Sequence, residues 1–517
     1  MREKILILLV AMLATVSLWA DDKGKATWPE EWRNVKYAKQ VTGSRRPRLR
    51  SKTEQEVLPD AKISKGEAVV KVRLLNFDSS KRLALMVGGF HPLGQKESFH
   101  KSYPLADDGT VMVRVPLRLV RTVIVGIEDV AFAPVLLAPG ETVEVLMDVR
   151  EGNPHFLAFK GYMARTNMER ATEYERRERD RESISRHMYD GLQQCTTADE
   201  RIRFLRHDYE QNIARIRKMK ATEATRMLLT MEEEAMLIDW LGVFGSIYLD
   251  LARHMGAVSI NSADEHAALY RQYADLLPCK QGAEALAPFS QYLIMTSPKA
   301  PACEAFWRVH AWSEDDAPQY NRDLKNAQRI IWDAVDRSAV DNVYRSIQSA
   351  DCRALVDDFR AEQQRAEQAL SAQGSVYLHD LDTVAPERVV PEILRRYPGR
   401  AVLIDLWATW CGPCRMGHRT MAPMKEELKD QPVVFVYLTN ETSPMQTWGD
   451  MIRDIPGEHY YLTRPQFSYL LDQLYHSQGI PTYALYAPDG TLAWQHIGYM
   501  QTNDEVREAI VRALPAQ

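Results

Sequence analysis

At 517 residues the chain is too long for one ordinary domain, and several are expected. Its composition, 45% hydrophobic and 26% charged with a net charge of −5, is that of a globular protein. So small a charge argues against a nucleic-acid-binding surface and against electrostatic capture of a membrane.

The first twenty residues read as an export signal. Arg2 and Lys4 give a positive start, Ile5 to Leu18 is almost wholly apolar, and Ala20 precedes Asp21 and Asp22. This is the pattern of a secretory signal cut after Ala20. The apolar run is short for a membrane span, which needs about 20 residues; the alternative is an uncleaved anchor helix. Residues 21–65 follow as a flexible arm, with a basic stretch at Arg45-Arg46-Pro47-Arg48-Leu49-Arg50 that reads as solvated. Export implies a periplasmic setting in which disulfides persist. Even so, Cys195, Cys279, Cys303 and Cys352 are too scattered for a disulfide scaffold, although a Cys279–Cys303 pair stays open.

Residues 66–160 alternate with period two. Val70, Val72 and Leu74 do so, as do Val111, Val113 and Val115, then Val143, Val145 and Met147. Turn signals at Gly88-Gly89, Asp107-Asp108-Gly109 and Pro139-Gly140 separate the runs. Short alternating strands at this spacing predict an antiparallel sandwich-like domain. Residues 161–370 switch to helical spacing. Ile202, Leu205, Tyr209, Ile213 and Ile216 form one apolar stripe. The mixed-sign run Glu175 to Glu182 reads as the solvated side of a helix, and Met231 to Leu251 as one central buried helix with Trp240 and Phe244 in the core.

Residues 371–517 reset the pattern to alternating strands and helices. Strands are expected at Ala401 to Leu406 and Val433 to Thr439, and a hairpin at Thr482 to Tyr486 and Leu492 to Ile497 around Pro488-Asp489-Gly490. Helices are expected from Cys411 to about Asp430, at Pro444 to Ile455, at Phe467 to His476 and at Asp504 to Leu514. The whole chain is therefore expected to be multidomain: a β-sandwich-like region, a helical region and a C-terminal α/β region.

The chemistry concentrates in Trp410-Cys411-Gly412-Pro413-Cys414. A structural zinc site needs four ligands. No second Cys-x-x-Cys exists, and His418 alone does not complete a set. No metal site and no cofactor pattern is read from the sequence. A static disulfide across so small a loop gains little chain entropy. A redox pair explains more. The strand before Ala408 feeds a helix starting at Cys411, where unpaired N–H groups and the helix dipole stabilise a thiolate, the attacking species in disulfide exchange. Pro413 fits the first helical turn, and Cys414 lies one turn on, placed to resolve a mixed disulfide. Asp405 interrupts an apolar strand, where burial raises a carboxyl pKa. It is either a proton acceptor for Cys414 or a capping aspartate. A cis Ile480–Pro481 bond would suit a tight approach of that loop to another.

LIDLWATWCGPC, GIPTYALY and YAPDGTLAWQHIG together resemble the thioredoxin superfamily, with the nearest likeness to exported TlpA/ResA-like thiol–disulfide oxidoreductases. The resemblance covers 371–517 and implies a thioredoxin-like fold there. It implies Cys411 as nucleophile, Cys414 as resolving cysteine, Asp405 as buried acid and Pro481 as the cis-proline. Trp410, Gly412, Pro413, Ile480 and Gly498 are then the residues beside the substrate. One departure is that the helix-bending proline, Pro423, comes about one turn later than in thioredoxin. The segment Thr442 to Leu462 resembles the insertion of exported members; Glu441, Trp448 and Tyr460 could line a groove there, with core packing expected for the aromatics. Residues before 371 resemble an N-terminal extension of some bacterial relatives and imply no catalysis.

The leading expectation is an exported enzyme that reduces disulfides of periplasmic client proteins and is re-reduced by a membrane thiol electron donor. A disulfide oxidase or isomerase is the alternative within that class. Outside it stands a partner- or ligand-binding protein whose CGPC pair senses redox state.

Overall fold

The computed structural model describes residues 29–32, 37–38 and 56–514, except 82, 91–92, 94–97, 128–129, 151–154, 261–262, 287–291, 308, 310–316, 332–338, 444, 478 and 501. The export signal and most of the arm, with its basic stretch, lie outside the described residues. The chain divides into two compact units, Met1–Phe90 with Phe99–Lys325, and His91–Ser98 with Asn326–Gln517.

The first unit opens with β1 (Tyr37–Ala38), β2 (Gly66–Leu75), β3 (Ala84–Phe90), β4 (Ser98–Pro104), β5 (Thr110–Leu117), β6 (Arg121–Ile127), β7 (Ala131–Leu137), β8 (Thr142–Asp148) and β9 (His155–Gly161). They form two sheets, ordered β1-β9-β8-β2-β5 and β4-β3-β6-β7. The alternating residues fill one core between them: Val70, Val72, Val113 and Val145 from one sheet meet Val87, Val123, Val125 and Val135 from the other. That is sandwich packing. The sheets are not wholly antiparallel, however. β2 runs parallel to β8, with Val70 opposite Val143 and Val72 opposite Val145. The two are joined through the whole second sheet, and only a short hairpin forces the antiparallel direction.

Helices follow. Ala198–Lys218 starts with a capping box between Thr197 and Glu200 and buries Leu205, Ile213 and Ile216. The expected single helix around Met231 to Leu251 is two, Glu223–Gly242 and Phe244–His254, meeting at 101°. Val243 leaves helical geometry between them (φ −137°, ψ 42°). Glycines let neighbours press against the bend: a Cβ on Gly282 would lie 1.8 Å from the Leu241 carbonyl oxygen, and one on Gly245 would lie 2.9 Å from Ala274. Trp240 and Phe244 both enter the core as expected. The charged run is less solvated than its pattern implies. Glu175 accepts the N–H of Phe156 (2.8 Å), and Arg177 pairs with Glu233 (2.7 Å).

The second unit carries β10 (Val376–Tyr377), β11 (Ala401–Leu406), β12 (Val433–Asn440), β13 (Glu458–Leu462), β14 (Thr482–Tyr486) and β15 (Leu492–Ile497) in one six-stranded sheet, ordered β10-β13-β12-β11-β14-β15. The first four in that order are parallel, and β14 and β15 are antiparallel additions. Successive residues of a strand face opposite sides, so β11 serves two cores. Val402, Ile404 and Leu406 pack with Val389, Phe467 and Leu470, while Ala401 and Leu403 pack with Met421, Met424 and Ile510. Helices Gly412–Glu427 and Asp504–Ala513 thus share a face. Pro423 lies inside the first of them. The segment expected as Phe467 to His476 is the helix Arg464–Tyr469 followed by a π-turn at Leu470–Leu474.

This unit reaches further back than residue 371. The helix Ala350–Ser371 buries Ala366 and Leu370 with Trp407, Met445 and Trp448. A Cβ on Gly449 would already touch the Leu370 methyls at 3.0 Å, so the fit is close. Leu370→Ala should therefore destabilise the unit by about 2–5 kcal/mol, seen as a lowered urea midpoint of the full chain. An unchanged midpoint would mean that this helix is dispensable to the unit.

Candidate active site around Cys411 and Cys414

β11 delivers the chain to the site. After Leu406, the Trp407 N–H donates to the Leu438 carbonyl (3.0 Å) and the Thr409 N–H to Ser443 Oγ (3.1 Å), which fixes the loop against the end of β12. Cys411 is the N-cap of helix Gly412–Glu427. Its sulfur is joined to that of Cys414 (S–S 2.05 Å) and accepts the Cys414 N–H at 3.2 Å. The sulfur thus sits on an otherwise orphan donor at the positive end of the helix, which favours its thiolate when the pair is reduced. Pro413, in the first turn, gives up an N–H that no helical bond needs. Gly412 and Pro413 are exposed, whereas Cys411 and Cys414 are covered (2% and 0% exposed). Cys195, Cys279, Cys303 and Cys352 form no disulfide.

The loop before β14 closes one side. The Cys411 sulfur is 3.6 Å from the Ile480 carbonyl oxygen, and the Ile480–Pro481 peptide is cis. Pro481 is buried, and its carbonyl accepts the Gly498 N–H (2.8 Å). Gly498 has φ 99°, a value that side-chain-bearing residues rarely take. Trp410 is 36% exposed and donates its indole N–H to Thr442 Oγ1 (3.1 Å). Cys411, Cys414, Trp410, Ile480, Pro481 and Gly498 are so assembled from three separate stretches of chain. Glu441 pairs with Arg464 (2.8 Å), and Trp448 and Tyr460 are core residues.

Beneath the disulfide lies a polar layer. Asp405 is 1% exposed, and its Oδ2 accepts from His418 Nε2 at 3.1 Å. In register on either side of it stand Tyr437 on β12 and Tyr483 on β14. Lys425 donates to the Tyr437 hydroxyl (2.7 Å), and burial pushes its amine down to about 8 against the opposing pull of Asp405. Burial and the Asp405 charge push both phenols far up. Gly417 is required by the same layer, since a Cβ there would lie 2.4 Å from the Tyr483 hydroxyl. The aspartate was visible in the sequence as a charge inside an apolar strand. Tyr437, Tyr483 and Lys425 were not, because only strand register and helix docking bring them to it. His418 carried one signal, its four-residue spacing from Cys414.

His459, opposite Tyr437, stacks on that ring (centroids 5.1 Å apart) and is 2% exposed. Burial pushes its imidazole down to about 4. It is neutral in the fold and takes up a proton on unfolding, so stability that is fully present above pH 6.5 is lost as pH falls from 6.5 towards that value. Urea unfolding should show wild type losing on the order of 3 kcal/mol over this window relative to His459→Gln. Parallel pH curves for the two proteins would contradict the shift.

Residues 391–457 match the thioredoxin family model. Among curated proteins the chain is similar to thioredoxin C-3 of Corynebacterium nephridii, 46% identical over 57 residues, which are 11% of this chain and 37% of that protein. It is also similar to thioredoxin of Synechocystis sp., 41% identical over 58 residues, 11% of this chain and 50% of that one. The chain thus spans half or less of the length of these relatives. Among solved structures it is similar to a thioredoxin-family thiol:disulfide interchange protein from Chlorobium tepidum TLS (18% identity, 23% of this chain and 84% of that one, TM-score 0.22). StoA from Bacillus subtilis is another (21% identity, 22% and 83%, TM-score 0.19). The C-terminal region is a thioredoxin-superfamily domain with a thioredoxin-like fold.

Proposed function

We propose that the protein is an exported thiol–disulfide oxidoreductase that reduces disulfides of client proteins. The observation that carries this is the Cys411–Cys414 pair at a helix N-terminus, against the Ile480 carbonyl, on the same helix whose His418 bonds the buried Asp405. In the forward cycle the Cys411 thiolate attacks a client disulfide and forms a mixed disulfide. Cys414, one turn away, then attacks Cys411 and releases the client. A client reaches the covered Cys411 along the half-exposed Trp410, Ile480 and Gly498. Export rests on the residues preceding Asp21, and periplasmic clients and a membrane thiol donor follow from it. The reducing direction rests on Gly412-Pro413, the dipeptide of thioredoxin.

The full chain, reduced, should cleave the disulfides of a test protein such as insulin. Cys411→Ser should abolish this, and Cys414→Ser should accumulate a mixed disulfide on Cys411. Retention of the biological role by Cys411→Ser would favour a binding protein instead. Equilibration of the pair with dithiothreitol should give a potential near thioredoxin's, about −270 mV; a value near about −120 mV would make it an oxidant.

A further inference from the structure

Strand register sets a row of polar side chains across the sheet under the cysteines. His459 stands opposite Tyr437, Tyr437 opposite Asp405, Asp405 opposite Tyr483, and Tyr483 opposite His496. Directly paired residues share a face of the sheet, and this face is covered by the Gly412–Glu427 helix. The helix adds His418 and Lys425 to the row.

Asp405 and His418 form the centre. The imidazole is held edge-on by Trp407 and Tyr437, with ring centroids 4.7 and 5.3 Å away. Both members are withdrawn from water, at 1% and 9% exposure. Only one carboxylate oxygen of Asp405 is engaged; Oδ1 is buried with no hydrogen-bond partner among the described residues. Such an atom is costly unless a proton or a water comes to it. His418 is four residues past Cys414, hence on the same helical face, and helix side chains lean towards the N-terminus, which here means towards Cys414. Of the groups flanking this pair, Tyr437, Tyr483 and His459 are poor proton acceptors, and His496 stands apart on the edge strand β15, half-buried. The phenols stay protonated and His459 stays neutral, for the reasons of burial given above. Lys425 reaches Tyr437 rather than Asp405.

We propose that His418 is a positioning residue for the proton step of exchange: bonded to Asp405, it forms with it a buried pair that takes the proton of Cys414 during release of the client. This rests on the thiol–disulfide exchange described above. In the step, the Cys414 S–H bond breaks and its proton passes to the pair. The Cys414 sulfur bonds to Cys411, and the bond from Cys411 to the client sulfur breaks. The client sulfur leaves with the electron pair as a thiolate and takes a proton from water. Over the cycle the two enzyme thiols are oxidised and the client disulfide is reduced. The pair returns its proton to solvent afterwards.

The test separates the two halves of the reaction. Reduced full chain is mixed with oxidised glutathione between about pH 5 and 9, spanning the range of general acid–base control, and quenched in acid. Mass spectrometry then counts the Cys411–glutathione adduct and the Cys411–Cys414 disulfide. In His418→Gln, adduct decay should slow relative to adduct formation by at least about tenfold near neutral pH. The pH midpoint of decay should also move. Asp405→Asn should do the same, and the double variant should add little, as expected of two groups acting as one. Should His418→Gln lose its near-ultraviolet circular dichroism, His418→Asn and Asp405→Asn carry the comparison. A decay-to-formation ratio that follows wild type at every pH overturns the proposal. So does a shift caused by Lys425→Met and not by the His418 variants. A wild-type chain that forms no adduct on Cys411 overturns the exchange reading itself, an outcome distinct from either.

Discussion

A carboxylate placed in the central strand of a sheet must be answered by other polar groups, because an ionised group loses several kcal/mol of hydration when it is buried alone. Asp405 imposes that constraint on the C-terminal unit. Tyr437 and Tyr483 flank it on the neighbouring strands, and the covering helix supplies a hydrogen bond to it from the His418 imidazole and brings the Lys425 amine to Tyr437. Gly417 keeps the helix close enough for the Tyr483 hydroxyl to fit beneath it. The cysteines then sit at the top of this layer, on the first turn of the same helix. Moving the strand register by one residue would turn Asp405 to the opposite face, among Val389, Phe467 and Leu470.

The site is therefore a meeting of two kinds of order. The position of Cys411 is local. A strand end, a short loop and a helix start place its sulfur on the Cys414 N–H, and four consecutive residues suffice to specify it. The surroundings are long-range. The Ile480 carbonyl arrives from 69 residues away along the chain, and the Gly498 N–H completes the loop behind it. The same split explains why the sulfurs are covered while the rim beside them is open. The loop and helix bury the reactive atoms, and Trp410, Gly412 and Pro413 remain outside.

The first unit answers to different constraints. Its sandwich core is made of the alternating valines, and its helices are held by caps and by charge pairs that reach between elements, such as Arg177 with Glu233. Among its described residues no disulfide repeats the Cys411–Cys414 pair. Among its described residues Cys303 is sealed in the interior, where burial pushes the thiol up to about 12, the reverse of what a reactive cysteine requires.

Alternation and helical spacing were enough to place most strands and helices, because a strand buries every second residue and a helix every third or fourth wherever it lies. CGPC was enough to mark the reactive pair, because a helix start acts on a thiol over one turn. Three things required the tertiary structure. The parallel pairing of β2 with β8 and the 101° break after Gly242 depend on which elements become neighbours. The inclusion of Ala350–Ser371 in the second unit depends on where Leu370 finds its pocket. The polar row under the cysteines depends on register between strands up to about eighty residues apart in sequence, which no local pattern encodes. The sequence by itself thus determined which two cysteines meet at the helix start; packing alone decided which polar groups line the sheet face that this helix covers.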